Sequence, residues 1–502
     1  MRLASYLNLA VDELLRTDLS HLTQSSAYDT SWAARLTDED GSLAYPHLLE
    51  NLTERQHIDG SWGSRIPYIH DRLLSTLAVV LLLGRFGSRQ RDHEQRLAGE
   101  HYIWQHAGRL DEDVQPTAGF EMILPTLLDE GQKMGLDLPY AQLRHYEIER
   151  DRKLQLLPTN GLFERKTTAL FSLEAFADAV DPKDIASLLS PNGSVVDSPS
   201  ATAWLLSQVP DWRGRFPESA AYLEEAMRRD GGGLPVVEPC GIFIRSWVIY
   251  YLHCGCLISG HEDALRPHYD YLRNYWSPGG VGSSPSALPD SDDTSTVLLV
   301  LHRAGYDVDG TCLLEYEREE HFAVFDHERH PSISANLHVL EALETLPEKD
   351  RPRVRDKILS YVLDARDPAG CYWGDKWHAS VYYPTSQVLI ALLPHVPEQM
   401  DDVLDWLVCA QRTDGSWGQY VPTAEETGLV LLALLHYYRA GRPVPREPLH
   451  LAARYLMANE RPFKNDYAEM WTAKVLYAPT SVIRSIVLSA LGLYQATLGE
   501  PG

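Results

Sequence analysis

Residues 288–302 read LPDSDDTSTVLLVLH and set three carboxylic acids, Asp290, Asp292 and Asp293, within four positions just ahead of an apolar run. One or two acids there would cap a helix and complement its dipole. Three repel one another, so crowded carboxyls hold at least one proton more strongly than in water. A carboxyl that keeps its proton is a general acid. If buried and hydrogen-bonded through one oxygen, it can direct the remaining proton outward.

A second acidic group, DDVLD at 401–405, opens the segment MDDVLDWLVCAQ. No companion metal motif accompanies it, and acids are expected in a first helical turn. The six cysteines show no disulfide framework, and HCGC at 253–256 lacks a second pair at metal-ligand spacing. These are read as ordinary buried thiols. A formal net charge of −25 argues against a nucleic-acid partner, which needs basic stripes. Small anionic ligands remain compatible through a few local basic residues.

The elements that must position such an acid are helices. Apolar residues recur at helical spacing in STLAVVLLLGRF (75–86), TSQVLIALLPHV (385–396), TGLVLLALLHYY (427–438) and TSVIRSIVLSALGLYQATL (480–498). Strand-length alternation is scarce, so the fold class is all-α. QHIDGSWG (56–63) and QRTDGSWG (411–418) agree at six of eight positions, and RDPAGCYWG (366–374) is a weaker copy. Asp-Gly supplies a turn and the Trp packs back on a helix end, as in repeated helix hairpins. At 502 residues the chain suggests more than one domain. We place a first domain at 25–262 and a second at 263–502, with an N-terminal helix within 1–24 packing on the second. The apolar run 73–84 is too short to span a bilayer, and the N-terminus lacks a basic-then-apolar signal pattern. A cytoplasmic protein without a transmembrane segment is expected.

DSDD at 290–293 fits the DxDD motif of class II terpene cyclases. SSAYDTSW (25–32), DRLLSTLA (71–78), GFEMILPTLL (119–128), GSVVDSPSATA (193–203), DKWHASVYYPTS (375–386) and TAEETG (423–428) extend the match in order over about 25–480. The chain resembles the bacterial and plant copalyl diphosphate synthase type, most of all the shorter bacterial members, including the halimadienyl (tuberculosinyl) diphosphate synthases. The resemblance implies two α/α barrels, γ-type then β-type, with the active site between them and the DxDD motif on the second. It also implies that Asp292 protonates the distal alkene of a prenyl diphosphate, that bicyclisation follows, and that the diphosphate is kept. Asp290 and Asp293 would hold the acid. Its partner position falls on His338, with Asn336 as the alternative.

An alkene is a very weak base, so water must be excluded and the cation needs walls that do not attack it. Aromatic faces each contribute roughly 0.5–2 kcal/mol to such a cation. The candidates are Trp204, Trp247, Trp377, Tyr382 and Tyr383. For the diphosphate, Lys153 in RDRKLQLLP occupies the family's lysine place, and Lys376, Lys474 and Arg72 are further candidates. Glu121 matches a glutamate associated with Mg²⁺ in the family, and Asp113 lies upstream.

Two family positions differ. Copalyl-type members use a His in LHSLE and an Asn in NGGVP to hold a terminating water. Here Phe171 stands in LFSLEAF, and Asp230 or Gly231 in DGGGLP. A cation that outlives this missing dyad can undergo hydride and methyl shifts, which implies a halimadienyl or clerodane-type product from geranylgeranyl diphosphate. A copalyl product, or a drimenyl one from farnesyl diphosphate, is the alternative. The product would pass to a class I synthase or a phosphatase, and a homodimer is possible. Two readings of another class are an inverting α/α-barrel glycosidase, with carboxyls about 6.5–9.5 Å apart in an open groove, and a helical-repeat binding protein.

Overall fold

The computed structural model describes residues 3–22, 24–156, 164–229, 231–326, 328, 330–368, 370–459 and 467–499. Asp230, named above, lies outside them. Among the described residues the chain forms α-helices, 3₁₀ segments and one two-stranded ribbon, Trp471–Thr472 with Leu476–Tyr477.

Two compact units emerge. One comprises 1–21, 240–467 and 479–502. The other comprises 22–239 with 468–478. The division thus falls at 239/240 rather than near 262, and a late segment returns to the earlier unit. That return is fixed by backbone groups: Leu476 N–H donates to Asp71 Oδ1 at 2.8 Å, and Ala118 N–H to the Ala473 carbonyl at 2.9 Å.

In the first-named unit six inner helices contact one another in a closed ring: Gly241–Cys254, Ser291–Arg303, Ile333–Glu341, Tyr382–Leu392, Ala424–Arg439 and Thr480–Leu498. These are apolar nearly all round, as helices enclosed on every side must be. Outer helices such as Glu262–Tyr275 and Arg351–Asp364 bury only a stripe. Leu3–Arg16 packs on Thr480–Leu498 and Glu262–Tyr275. Thr480–Leu498 is long and apolar enough to cross a membrane, yet 72% of that span is buried within the protein.

The other unit repeats the plan with five inner elements, Ala27–Ala33, Ile69–Phe86, Phe120–Lys133, the 3₁₀ stretch Thr168–Ala179 and Pro199–Ser207, again closing on themselves. Both units are α/α barrels.

The DGSWG turns explain the internal echo. Asp59 Oδ1 accepts from Ser61 N–H (3.0 Å) and Oγ–H (2.6 Å), and Asp414 makes the same pair with Ser416 at the same distances. Trp62 and Trp417 donate their indole N–H to Leu52 and Leu407 carbonyls at 2.7 and 2.8 Å. Gly60 and Gly415 both have φ +89°, and a Cβ there would meet a backbone oxygen at 2.6 or 2.5 Å. Trp373 repeats the indole bond to Val362. These tryptophans serve packing.

Candidate active site

Asp290 caps the inner helix Ser291–Arg303, its Oδ1 accepting from Asp293 N–H at 2.7 Å. The cap therefore uses one of the three acids and leaves Asp292 and Asp293 in the first turn. The helix dipole favours ionised carboxylates there, but burial wins. Burial first, then the Asp292 charge, pushes the Asp290 carboxyl up to about 7. Burial, Asp290 and Asp292 push Asp293 well above the usual carboxylate range. The cluster keeps protons at a pH where isolated carboxyls have lost them.

His338 reaches Asp292 from the adjacent inner helix, Ile333–Glu341. Its Nδ1 lies 2.5 Å from Asp292 Oδ1, and its side chain has no exposed surface. Desolvation lowers the imidazole's proton affinity, but the Asp292 charge and hydrogen bond outweigh it, so its pKa is raised. A protonated His338 donates through Nδ1 and leaves the second oxygen of Asp292 for other work. His338 Nε2 and Asp293 Oδ1 are buried without a hydrogen-bond partner. Asn336 uses its amide elsewhere. It pins a loop, exchanging bonds with Phe322 N–H and C=O (2.8 and 2.9 Å) and donating to the Ser332 carbonyl.

The aromatic candidates separate. Trp247 packs edge-on against His338 at 5.2 Å. Tyr383 is fully buried, within electrostatic reach of Asp292. Tyr382 instead stacks on Trp406 at 5.5 Å. Trp377 carries Lys376 Nζ 4.9 Å above its ring. Trp204 is buried in the helix Pro199–Ser207 of the other unit.

The basic candidates separate as well. Lys376 is bonded to Glu328 and, at 2.7 Å, to the His330 carbonyl. Arg72 clamps the first DGSWG turn, meeting Asp59 Oδ2 at 2.8 Å and the Ser64 and Arg65 carbonyls. Lys474, expected as a diphosphate ligand, has no exposed surface. Four oxygens surround its three N–H groups: the Phe171 carbonyl (2.7 Å), Glu174 (2.8 Å), Ser198 Oγ (2.8 Å) and Ser200 Oγ. As placed, it has no proton left for a diphosphate. Phe171 lies over the same ammonium, 4.7 Å from Nζ to its ring centre.

Lys153 is partly exposed and paired with Glu121. Glu121, a hard oxygen donor of the kind Mg²⁺ takes, is here engaged by that lysine. Asp113 does not fit: it is buried, and one oxygen takes both the N–H and Nδ1 of His70 at 2.8 Å. Among the described residues no three metal-ligating side chains cluster. Asp401 pairs with Arg442, and Asp402 with Arg366 at 2.6 Å, so DDVLD carries helix-start ion pairs.

A squalene-hopene cyclase C-terminal domain model matches residues 303–433. A type B diterpene cyclase of Mycobacterium tuberculosis is 34% identical over 497 residues, spanning 96% of this chain and 97% of its own. The chain belongs to the class II diterpene cyclases. A (+)-kolavenyl diphosphate synthase of Herpetosiphon aurantiacus is 29% identical to the cyclase, with 95% of each covered. The solved ent-copalyl diphosphate synthase from Streptomyces platensis superposes with a TM-score of 0.76 at 28% identity, over 98% of both chains.

Sequence reasoning missed several buried groups of the cyclase. Tyr250 donates to Glu341 (2.8 Å) and faces Gln387 (3.0 Å), while its ring lies 5.7 Å from His338. His378 stacks on Tyr383 and meets Glu425 through Nε2, and Tyr28 donates to Glu174 at 2.9 Å. His378, Glu425 and Tyr28 sit in the quoted motifs DKWHAS, TAEETG and SSAYDTSW. Their spacing within each motif carries no chemical signature, because the carboxyl partners of His378 and Tyr28 are remote in sequence.

Proposed function

We propose that the cyclase converts geranylgeranyl diphosphate to a rearranged bicyclic diphosphate of halimadienyl or clerodane type. The observation that carries the protonation step is the Asp292–His338 contact of 2.5 Å, with Asp290 and Asp293 buried on the same helix turn and Asp292 15% exposed. Asp292 gives its proton to the distal alkene, forming a C–H bond and a tertiary cation. His338, holding the other oxygen of Asp292, stabilises the carboxylate left behind. Two ring closures consume two further alkenes, hydride and methyl shifts move the charge, and loss of one proton ends the sequence. Atoms in substrate and product are the same, and the diphosphate stays attached.

Trp247 and Tyr383 supply aromatic surface near the acid. Lys153 is assigned to the diphosphate, with Glu121 the carboxylate that would share a Mg²⁺ with it. That ion would neutralise phosphate charge. Support for rearrangement is Phe171, whose side chain cannot hold a terminating water, and the likeness to a kolavenyl diphosphate synthase.

The test is incubation with geranylgeranyl or farnesyl diphosphate and Mg²⁺, then phosphatase treatment, gas chromatography with mass detection and NMR. A rearranged C20 bicyclic alcohol is expected. An unrearranged labdane or a C15 drimane would replace this product assignment, and no cyclised product from either would overturn it.

A further inference from the structure

Stacked on Tyr383, in the same barrel as the acid, is a buried imidazole–carboxyl pair that the chemistry above leaves unused. His378 stacks on the Tyr383 ring at 4.7 Å with an interplanar angle of 15°. Its Nε2 meets Glu425 Oε1 at 3.3 Å. His378 has no exposed side-chain surface and Glu425 only 1%. Glu425 stands in the first turn of the inner helix Ala424–Arg439, one helix further round the ring than Tyr383.

His378 Nδ1 sits 3.1 Å from the Ser380 N–H and 3.3 Å from the Ser380 carbonyl. Both ring nitrogens are thus engaged, and Nε2 carries the hydrogen shared with Glu425. The imidazole has no lone pair open to receive a proton from a hydrocarbon, so it is not the terminating base. The neighbouring Glu426 plays a different part. It accepts from Thr423 Oγ–H (2.6 Å), Ser380 Oγ–H (2.5 Å) and Gln419 N–H (2.9 Å), which fixes the loop carrying His378.

A carboxylate is expensive to bury, and accepting from Nε2–H it polarises the imidazole whose face lies on the Tyr383 ring. Tyr383 is the ring that this polarised imidazole covers, and it lies within electrostatic reach of Asp292, where the positive charge would first appear. We infer that Glu425, acting through His378, is a buried counter-charge for the carbocation, enriching the Tyr383 ring and lengthening the life of the cation so that shifts precede proton loss. His378 and Glu425 are positioning residues: their effect passes through Tyr383. The inference rests on the cyclisation proposed above and adds the residues that govern how far the cation travels.

The test is Glu425→Gln. The amide keeps the volume and still accepts from His378, but removes the charge. Expected are a turnover lowered roughly 3–30-fold, an unchanged KM, and a ratio of early-quenched to rearranged products raised by a similar factor. If the pair merely holds Tyr383 in place, Glu425→Gln matches the native enzyme in rate and product ratio, and the inference falls. Should that variant fail to fold by circular dichroism, phenylalanine and then mono-, di- and trifluorophenylalanine are placed at position 383. A stepwise fall in turnover with each fluorine supports the counter-charge, since fluorination drains the ring's negative face, and a flat series overturns it. Native enzyme run alongside keeps the two readings apart: if it cyclises no prenyl diphosphate the proposed function fails, whereas a cyclising native enzyme with an indifferent variant removes only this inference.

Discussion

His338 and Lys474 are both basic side chains with no exposed surface, one in each barrel, and their surroundings differ in kind. Lys474 is enclosed by four oxygens, one of them on Glu174, so its charge is matched and its protons are spent. His338 meets Asp292, one of three carboxyls crowded on one helix turn, and its own Nε2 and Asp293 Oδ1 are unpartnered among the described residues. A satisfied buried pair stabilises a fold once made, because removing either partner strands the other. An unsatisfied like-charge cluster costs stability, and such a cost persists where a function needs it. Lys474 is therefore matched within its barrel, while the proposed function gives Asp292 the chemistry.

The comparison breaks first at the acid. Asp292→Asn should lower turnover by about 10³-fold or more while leaving the melting temperature within a few degrees of native, since one proton source and little volume are lost. Product formation by mass detection and thermal melting decide it, and substantial residual product would sink the assignment. Lys474→Met should do the opposite. Stranding Glu174 costs roughly 3–5 kcal/mol, lowering the melting temperature of that barrel by about 6–20 °C. A variant as stable as native but with a raised KM would return Lys474 to the diphosphate.

A third effect is read in the pH dependence of stability. The Asp290 carboxyl rises from 3.8 to about 7 on folding, so the folded state binds its proton more tightly than the unfolded chain. That contribution is complete below the unfolded value and is lost as pH climbs through about 7. Urea unfolding from pH 4 to 8 should show stability falling by a few kcal/mol through this group. Asp290→Asn, which preserves the cap, should flatten that slope, and parallel profiles would contradict it. The smallest effect tests the other barrel. Phe171→His puts a polar ring beside the Lys474 ammonium, at a cost of about 1–3 kcal/mol, and should divert part of the product to an unrearranged or hydroxylated skeleton. NMR of native and variant products in the same proportions would show that position 171 does not control termination.

Much of this was legible in the sequence where the controlling contacts are local. The acid cluster, its cap and both DGSWG turns are made by residues within four positions of one another. The Asp292 partner followed from resemblance, and His338 does meet it. Remote contacts were not legible. Residues 468–478 join the earlier barrel through Asp71 and Ala118, more than 350 positions away, using strands of two residues that show no alternation. Lys474 stood alone among apolar neighbours because Glu174 is 300 residues distant. Lys376 and Arg72 looked like free cations because Glu328 and Asp59 are brought to them only by folding. Glu425 and His378 are 47 positions apart.

The central claim is that the reaction starts by proton transfer from a carboxyl in exchange with solvent. Turnover of geranylgeranyl diphosphate in D₂O, with deuterium located in the product by NMR, tests it most directly. One deuterium per molecule is expected on the ring carbon that was the CH of the distal alkene, retained as CHD in a halimadienyl-type product, with the diphosphate intact and no such product from Asp292→Asn. A cyclised product in which that carbon is a fully protiated CH₂, or one that has lost its diphosphate, would contradict the account.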